Sequence, residues 1–186
     1  MWIVLICLAY FFGISEAILL LKKRSKKNTV KMQKDKGSLI ILYTIFTISM
    51  TAGFLLANFR TRSSLYYIIV STGLLIYILG LVIRWTSILQ LKKAFTVDVA
   101  ITQNHELKTD GMYKIIRHPS YLGLFLIFSG LSIGMNSLLS LLVITLPVFL
   151  AISYRINVEE KLLISEFSES YLRYKSETKR LIPGIY

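Results

Sequence analysis

From Tyr121 to Tyr154 the chain runs for 34 residues without a charged side chain. A stretch of this kind cannot be laid on a water-soluble surface. It is too long for one ordinary membrane crossing, and for two crossings of about 17 residues each it is barely long enough. Asn136 and Ser137 stand near its middle and suit a tight turn. The expectation is a helical hairpin, shallow or fully spanning, whose two ends emerge on the same face.

Three further apolar runs precede it. Met1 to Leu21 carries one charge, Glu16; Ser38 to Phe59 carries none; Ser64 to about Leu91 is interrupted by Arg84. The first lacks a basic leader and a small-residue cleavage site, so it reads as a retained helix rather than a signal peptide. Asp35 and Ser38 are suitable N-capping residues for the second. The predicted fold is an all-α integral membrane protein of about five transmembrane helices, the last two a hairpin, with a cofactor site on the cytosolic side. It is expected to form a single membrane domain over residues 1–186. Residues 1–91 supply three N-terminal helices, and 92–186 form the core: segment 92–120, hairpin 121–154, tail 155–186.

Composition bears on this at two points. The chain is 54% hydrophobic with mean hydropathy +0.61, which excludes disorder. It holds one Cys and two His, which excludes a disulfide framework and leaves no metal-ligand spacing. The formal net charge of +12 is distributed unevenly. Eight Lys/Arg lie in 22–36, five in 92–120 and six in 155–186, against Arg60 and Arg62 on the opposite side. The positive-inside rule then predicts an N-terminus outside and a C-terminus in the cytosol. The loop 22–36 is expected to meet anionic lipid headgroups. No nucleic-acid partner is expected.

Two polar segments flank the hairpin. In the first, both histidines occur: His105, Glu106, Leu107, Lys108 and Tyr113, then Arg117-His118-Pro119-Ser120-Tyr121. Pro119 suits the first position of a helix. That helix N-terminus would offer free N–H groups and a partial positive charge to an anion. Arg117, His118 and Tyr121 can equally be read as interfacial anchors. In the second segment Arg155 and Glu159 share one helix face at i, i+4. They form either an ordinary ion pair or a divided site, in which Glu159 holds a cationic group and Arg155 an anionic one. Glu160 points about 100° away and reads as a solvated partner of Lys161. Glu16 and Arg84 are expected to face the bundle interior, paired or snorkelling, in a structural role. Gly73, Gly80, Gly123, Gly130 and Gly134 suit close helix packing. No dinucleotide fingerprint, P-loop, nucleophile elbow or H-E-x-x-H occurs.

Taken together, Leu107-Lys108-Thr109-Asp110-Gly111-Met112-Tyr113, Arg117-His118-Pro119-Ser120-Tyr121-Leu122-Gly123, Glu159-Glu160-Lys161-Leu162-Leu163 and the later Phe167, Tyr171 and Tyr174 resemble the isoprenylcysteine carboxyl methyltransferase (ICMT) family. Gly80 to Trp85 and Phe95 extend the likeness upstream, so that it covers roughly 80–183. The resemblance implies an integral membrane enzyme using S-adenosyl-L-methionine. It implies that His105, Glu106, Leu107, Lys108 and Tyr113 line the adenosine end of that cofactor, that His118, Pro119, Ser120 and Tyr121 close around it, and that Glu159 contacts its amino group. Arg155 would bind the substrate and orient its carboxylate, so Arg155 and Glu159 are the expected catalytic pair. The acceptor would be the carboxylate of an amphiphilic, isoprenylcysteine-type lipid. A phospholipid amine or a hydroxylated lipid is the alternative acceptor. An NADPH-dependent sterol or isoprenoid reductase, which shares R-H-P-x-Y-x-G, and a non-enzymatic membrane scaffold are the alternatives of other classes.

Overall fold

The computed structural model of the chain describes residues 2–23, 30–33, 35, 37–59, 64–92, 95–102 and 106–184. Five helices carry the structure: α1 Trp2–Lys22, α2 Ser38–Leu56, α3 Tyr66–Leu91, α4 Pro119–Gly134 and α5 Leu138–Glu177. Two short strands, β1 Val30–Gln33 and β2 Ala100–Thr102, pair antiparallel and join the α1–α2 connection to the segment after α3.

Four of the five helices, all but α4, are long and apolar enough to cross a membrane. At 16 residues, α4 rises only about 24 Å, short of a hydrocarbon core of about 30 Å. The hairpin is therefore asymmetric. Its turn falls at Met135–Ser137, with Asn136 in the left-handed region at φ 53° and the Ser137 hydroxyl accepting from the Ser140 N–H as the cap of α5. The long helix α5 is free of charge to Tyr154 and runs on beyond it to Glu177. Past Tyr154 it turns amphipathic, and at Ser168 (φ 44°, ψ −118°) its direction breaks.

Pairing of the helices follows from small residues. Helix α3 packs chiefly on α4, and α2 on α5. A Cβ added at Gly80 would lie 2.7 Å from Ile127 N; at Gly123, 2.6 Å from Arg84 N; at Gly130, 2.5 Å from Tyr77 N. Backbone meets backbone along this seam, which is how helices associate where lipid gives no hydrophobic drive. Around it the core is filled by Phe128, whose ring contacts those of Phe12 and Phe46, with Leu124, Ile127, Ile144, Val148 and Ile152. The outer faces display Ile3, Tyr10, Ile40, Leu75 and Leu150, an apolar surface that suits lipid rather than water.

Glu16 and Arg84 meet as a bidentate pair: Nε to Oε1 at 2.6 Å and Nη2 to Oε2 at 2.7 Å. Tyr43 donates to the same carboxylate at 2.9 Å, and Arg84 Nη1 donates to Ser120 Oγ at 2.8 Å. One buried ion pair thus ties α1, α2, α3 and the start of α4 together at the level of the polar face.

Candidate functional site

The polar ends of α2, α3 and α4 and the polar half of α5 surround a cavity of about 130 Å³. Leu39, Leu42 and Tyr43 of α2 and Leu124 of α4 line it. Leu107, Lys108, Tyr113, Leu162, Tyr171 and Tyr174 line it too, as do His118, Tyr121, Arg155 and Glu159.

Pro119 is the first residue of α4, with His118 as its cap. The fixed φ of proline starts the helix there, and this places Ser120 and Tyr121 in the first turn, at the cavity wall. Arg155 and Glu159 do not pair directly as neighbours on α5. The Tyr121 hydroxyl stands between them: it accepts from Arg155 Nε at 2.9 Å and donates to Glu159 Oε2 at 2.7 Å. The rest of the Arg155 guanidinium is held by Ser38 Oγ at 2.8 Å, Asp35 Oδ1 at 3.2 Å and the Val97 carbonyl. His118 lies between two carboxylates, with Nδ1 at 4.0 Å from Glu159 and Nε2 at 3.4 Å from Glu160.

Glu160 overturns one expectation. It is not a solvated partner of Lys161 but is buried, receiving Arg117 Nε at 3.0 Å and Arg180 Nη2 at 2.6 Å, with Lys175 Nζ at 3.8 Å. Burial by itself would raise its carboxyl, but hydrogen bonds from His118, Arg180 and Arg117 outweigh that and hold it well below the usual carboxylate range. The helical wheel gave its direction correctly. What it could not show is that residues 178–181 return to cover that face. Arg117 N donates to the Lys179 carbonyl at 2.8 Å and His118 N to the Arg180 carbonyl at 3.1 Å.

Of the residues expected at the site, Leu107, Lys108, Tyr113, His118, Ser120, Tyr121, Arg155 and Glu159 line the cavity. The Ser120 side chain is turned toward Arg84. Glu106 is exposed and stands off the cavity, Pro119 serves to start the helix, and His105 lies outside the described residues. Sequence reasoning missed the site contacts of Asp35, Ser38 and Val97 with Arg155. For Asp35 a signal exists: it is the lone acid in the basic segment 22–36.

The donor set can be tested against a nucleoside cofactor with a cationic amino-acid end. Tyr171 is 1% exposed, lines the cavity, and its hydroxyl has no hydrogen-bond partner among the described residues. A buried hydroxyl costs free energy unless paired, so a ligand with polar edges fits. Glu159, 32% exposed at its side chain, offers a carboxylate for a cationic group, and aliphatic and aromatic walls suit a purine.

Residues 72–165, which include Tyr113, His118, Tyr121, Arg155, Glu159 and Glu160, match the isoprenylcysteine carboxyl methyltransferase (ICMT) family. The chain belongs to that family. The protein-S-isoprenylcysteine O-methyltransferase of Schizosaccharomyces pombe is 36% identical over 109 residues, 58% of this chain and 46% of that protein. Protein-S-isoprenylcysteine O-methyltransferase B of Arabidopsis thaliana is 33% identical over 116 residues, 61% of this chain and 58% of the relative. The solved structure of the eukaryotic intramembrane Ras methyltransferase ICMT superposes with a TM-score of 0.66 at 29% identity, covering 75% of this chain and 52% of that one. The chain spans about half the length of the curated relatives it matches. As an ICMT-family member with four long apolar helices among its described residues, it is an integral, multi-pass membrane protein, and the family implies a methyl donor.

Proposed function

We propose that this protein transfers a methyl group from S-adenosyl-L-methionine to the carboxylate of a lipid-like, isoprenylcysteine-type acceptor. The observation that carries the reading is the Arg155–Tyr121–Glu159 bridge, which sets a guanidinium and a carboxylate on either side of one phenol in a cavity otherwise lined largely by aliphatic and aromatic side chains.

When bound, S-adenosylmethionine supplies an electrophilic methyl on a sulfonium. Glu159 would hold its cationic amino group, Leu107, Lys108 and Tyr113 would line its adenosine end, and His118 and Tyr121 would close beside it. Arg155 would fix the acceptor carboxylate. A carboxylate with an ordinary pKa of about 4 is ionised at pH 7 and needs no general base. The protein's contribution is then to orient both reactants to within about 3–3.5 Å in line and to exclude water. Leu39 and Leu42 of α2 and Leu124 of α4 would receive the lipid part. In the same reading the polar face lies in the cytosol, the N-terminus outside, and the segment 22–36 touches anionic headgroups, as its excess of basic residues suggests.

The test is purified protein in detergent with labelled S-adenosylmethionine and N-acetyl-S-farnesylcysteine, followed by mass spectrometry. Methyl ester on the acceptor is expected, with S-adenosylhomocysteine but not NADPH binding by calorimetry. Arg155→Ala should reduce turnover far more than cofactor affinity, and Glu159→Ala the reverse. Collapse of cofactor affinity in Arg155→Ala with normal turnover of bound cofactor would overturn the assignment.

A further inference from the structure

The Arg155 guanidinium already carries a carboxylate. Asp35 Oδ1 lies 3.2 Å from Nη1 and accepts as well from the Ser38 hydroxyl and the Leu39 N–H at 3.3 Å, so it is fixed in place at the head of α2. A guanidinium grips a carboxylate best through two parallel N–H bonds on one edge. Both edges of Arg155 that contain Nη2 include a nitrogen in use. One has Nε, given to Tyr121 at 2.9 Å; the other has Nη1, given to Ser38 at 2.8 Å and to Asp35. An incoming carboxylate gripped in this way displaces one of these partners. Nη2 itself donates to the Val97 carbonyl, and of the four contacts Asp35 makes the longest. At 15% side-chain exposure against 3% for Arg155, it also has somewhere to go.

We propose that Asp35 is a built-in occupant of the acceptor-carboxylate position on Arg155, displaced when acceptor binds, and that this exchange weakens the binding of carboxylate acceptors. The inference rests on the reading of Arg155 as the acceptor clamp. Its logic is an exchange of like for like. While Asp35 stays, the buried guanidinium is neutralised and its desolvation is compensated. A carboxylate replaces that compensation when it takes the position, so it can open the contact. A neutral lipid of the same shape offers nothing in return and leaves Asp35 where it is. Asp35 therefore lowers the affinity of every carboxylate acceptor and leaves neutral analogues unaffected. That signature separates an occupant from a residue that simply holds Arg155 still, whose loss would weaken carboxylate binding.

The experiment measures binding of S-farnesylthioacetic acid and of its primary amide to the full chain in nanodiscs, saturated with S-adenosylhomocysteine. Asp35→Asn keeps an acceptor oxygen for Ser38 and Leu39 and removes the charge. It should tighten the acid about tenfold or more and leave the amide within about twofold. Asp35→Glu keeps the charge and should give no such gain. Tighter acid binding in both variants, or unchanged or weaker acid binding in Asp35→Asn, overturns the exchange while leaving the acceptor assignment intact. Failure of both acid and amide to bind a protein that still binds S-adenosylhomocysteine overturns the acceptor assignment and the exchange with it.

Discussion

Tyr121 donates its phenolic proton to Glu159 at 2.7 Å, across 38 residues of sequence and from the opposite arm of the α4–α5 hairpin. The same oxygen accepts from Arg155, so removing one atom breaks two contacts. Tyr121→Phe leaves a buried guanidinium N–H unpaired, at a cost of about 1–3 kcal/mol. Glu159 also loses the hydroxyl that orients it, so S-adenosylhomocysteine affinity should fall roughly two- to tenfold, read by calorimetry, with the far-UV spectrum unchanged. Full affinity in the variant would remove the bridge from the binding site.

Glu160 answers to acid. Its native carboxyl titrates below the ordinary value of about 4.3, so its stabilisation is fully present above that value. It is lost as pH falls through the native one. The wild type should therefore lose stability on acidification more steeply than Glu160→Gln, measured as melting temperature in detergent between pH 7 and pH 3. At pH 7 Glu160→Ala, which strands Arg117 and Arg180, should cost about 3–5 kcal/mol. Parallel acid limbs in wild type and Glu160→Gln would contradict the assignment.

The α3–α4 seam has no room for a methyl group. Gly130→Ala places a carbon 2.5 Å from Tyr77 N and 2.6 Å from Gly73 O, against backbone that can yield only by separating the helices. A loss of about 1–3 kcal/mol or more follows. Gly13→Ala, with nothing within 4 Å, should be neutral or gain about 1 kcal/mol of helix propensity. Thermal melts of the two variants side by side check the contrast.

Glu16 and Arg84 are each buried and each compensated by the other. Glu16→Leu or Arg84→Met alone should be strongly destabilising, by about 3–5 kcal/mol, whereas the double variant should recover most of the loss. A double-mutant cycle on melting temperature measures the coupling. Additive losses would mean that the pair is not what stabilises either charge.

What could be read from the sequence and what could not divides along contact distance in the chain. The apolar runs give the helices, because burial in lipid demands about 20 residues without charge. Asn136 and Ser137 give the turn, because a left-handed residue followed by a serine cap is local chemistry. Arg155 and Glu159 share a face by helical period alone. Their joining through Tyr121 is not local, and neither is the Arg155–Asp35 pair, 120 residues apart. Glu160 was misread for the same reason, since its partners Arg117 and Arg180 arrive from elsewhere. The break at Ser168 has no glycine or proline to announce it.

The parallel pairing of residues 116–118 with 179–180 has a consequence for the order of assembly. All five helices precede residue 178, so each can enter the membrane and find its neighbours as it is synthesised. The start of α4 and the burial of Glu160 cannot be completed until Arg180 has been made. The bundle and the pocket are therefore finished at different times, because the segment that covers Glu160 is made only after the helices it closes over.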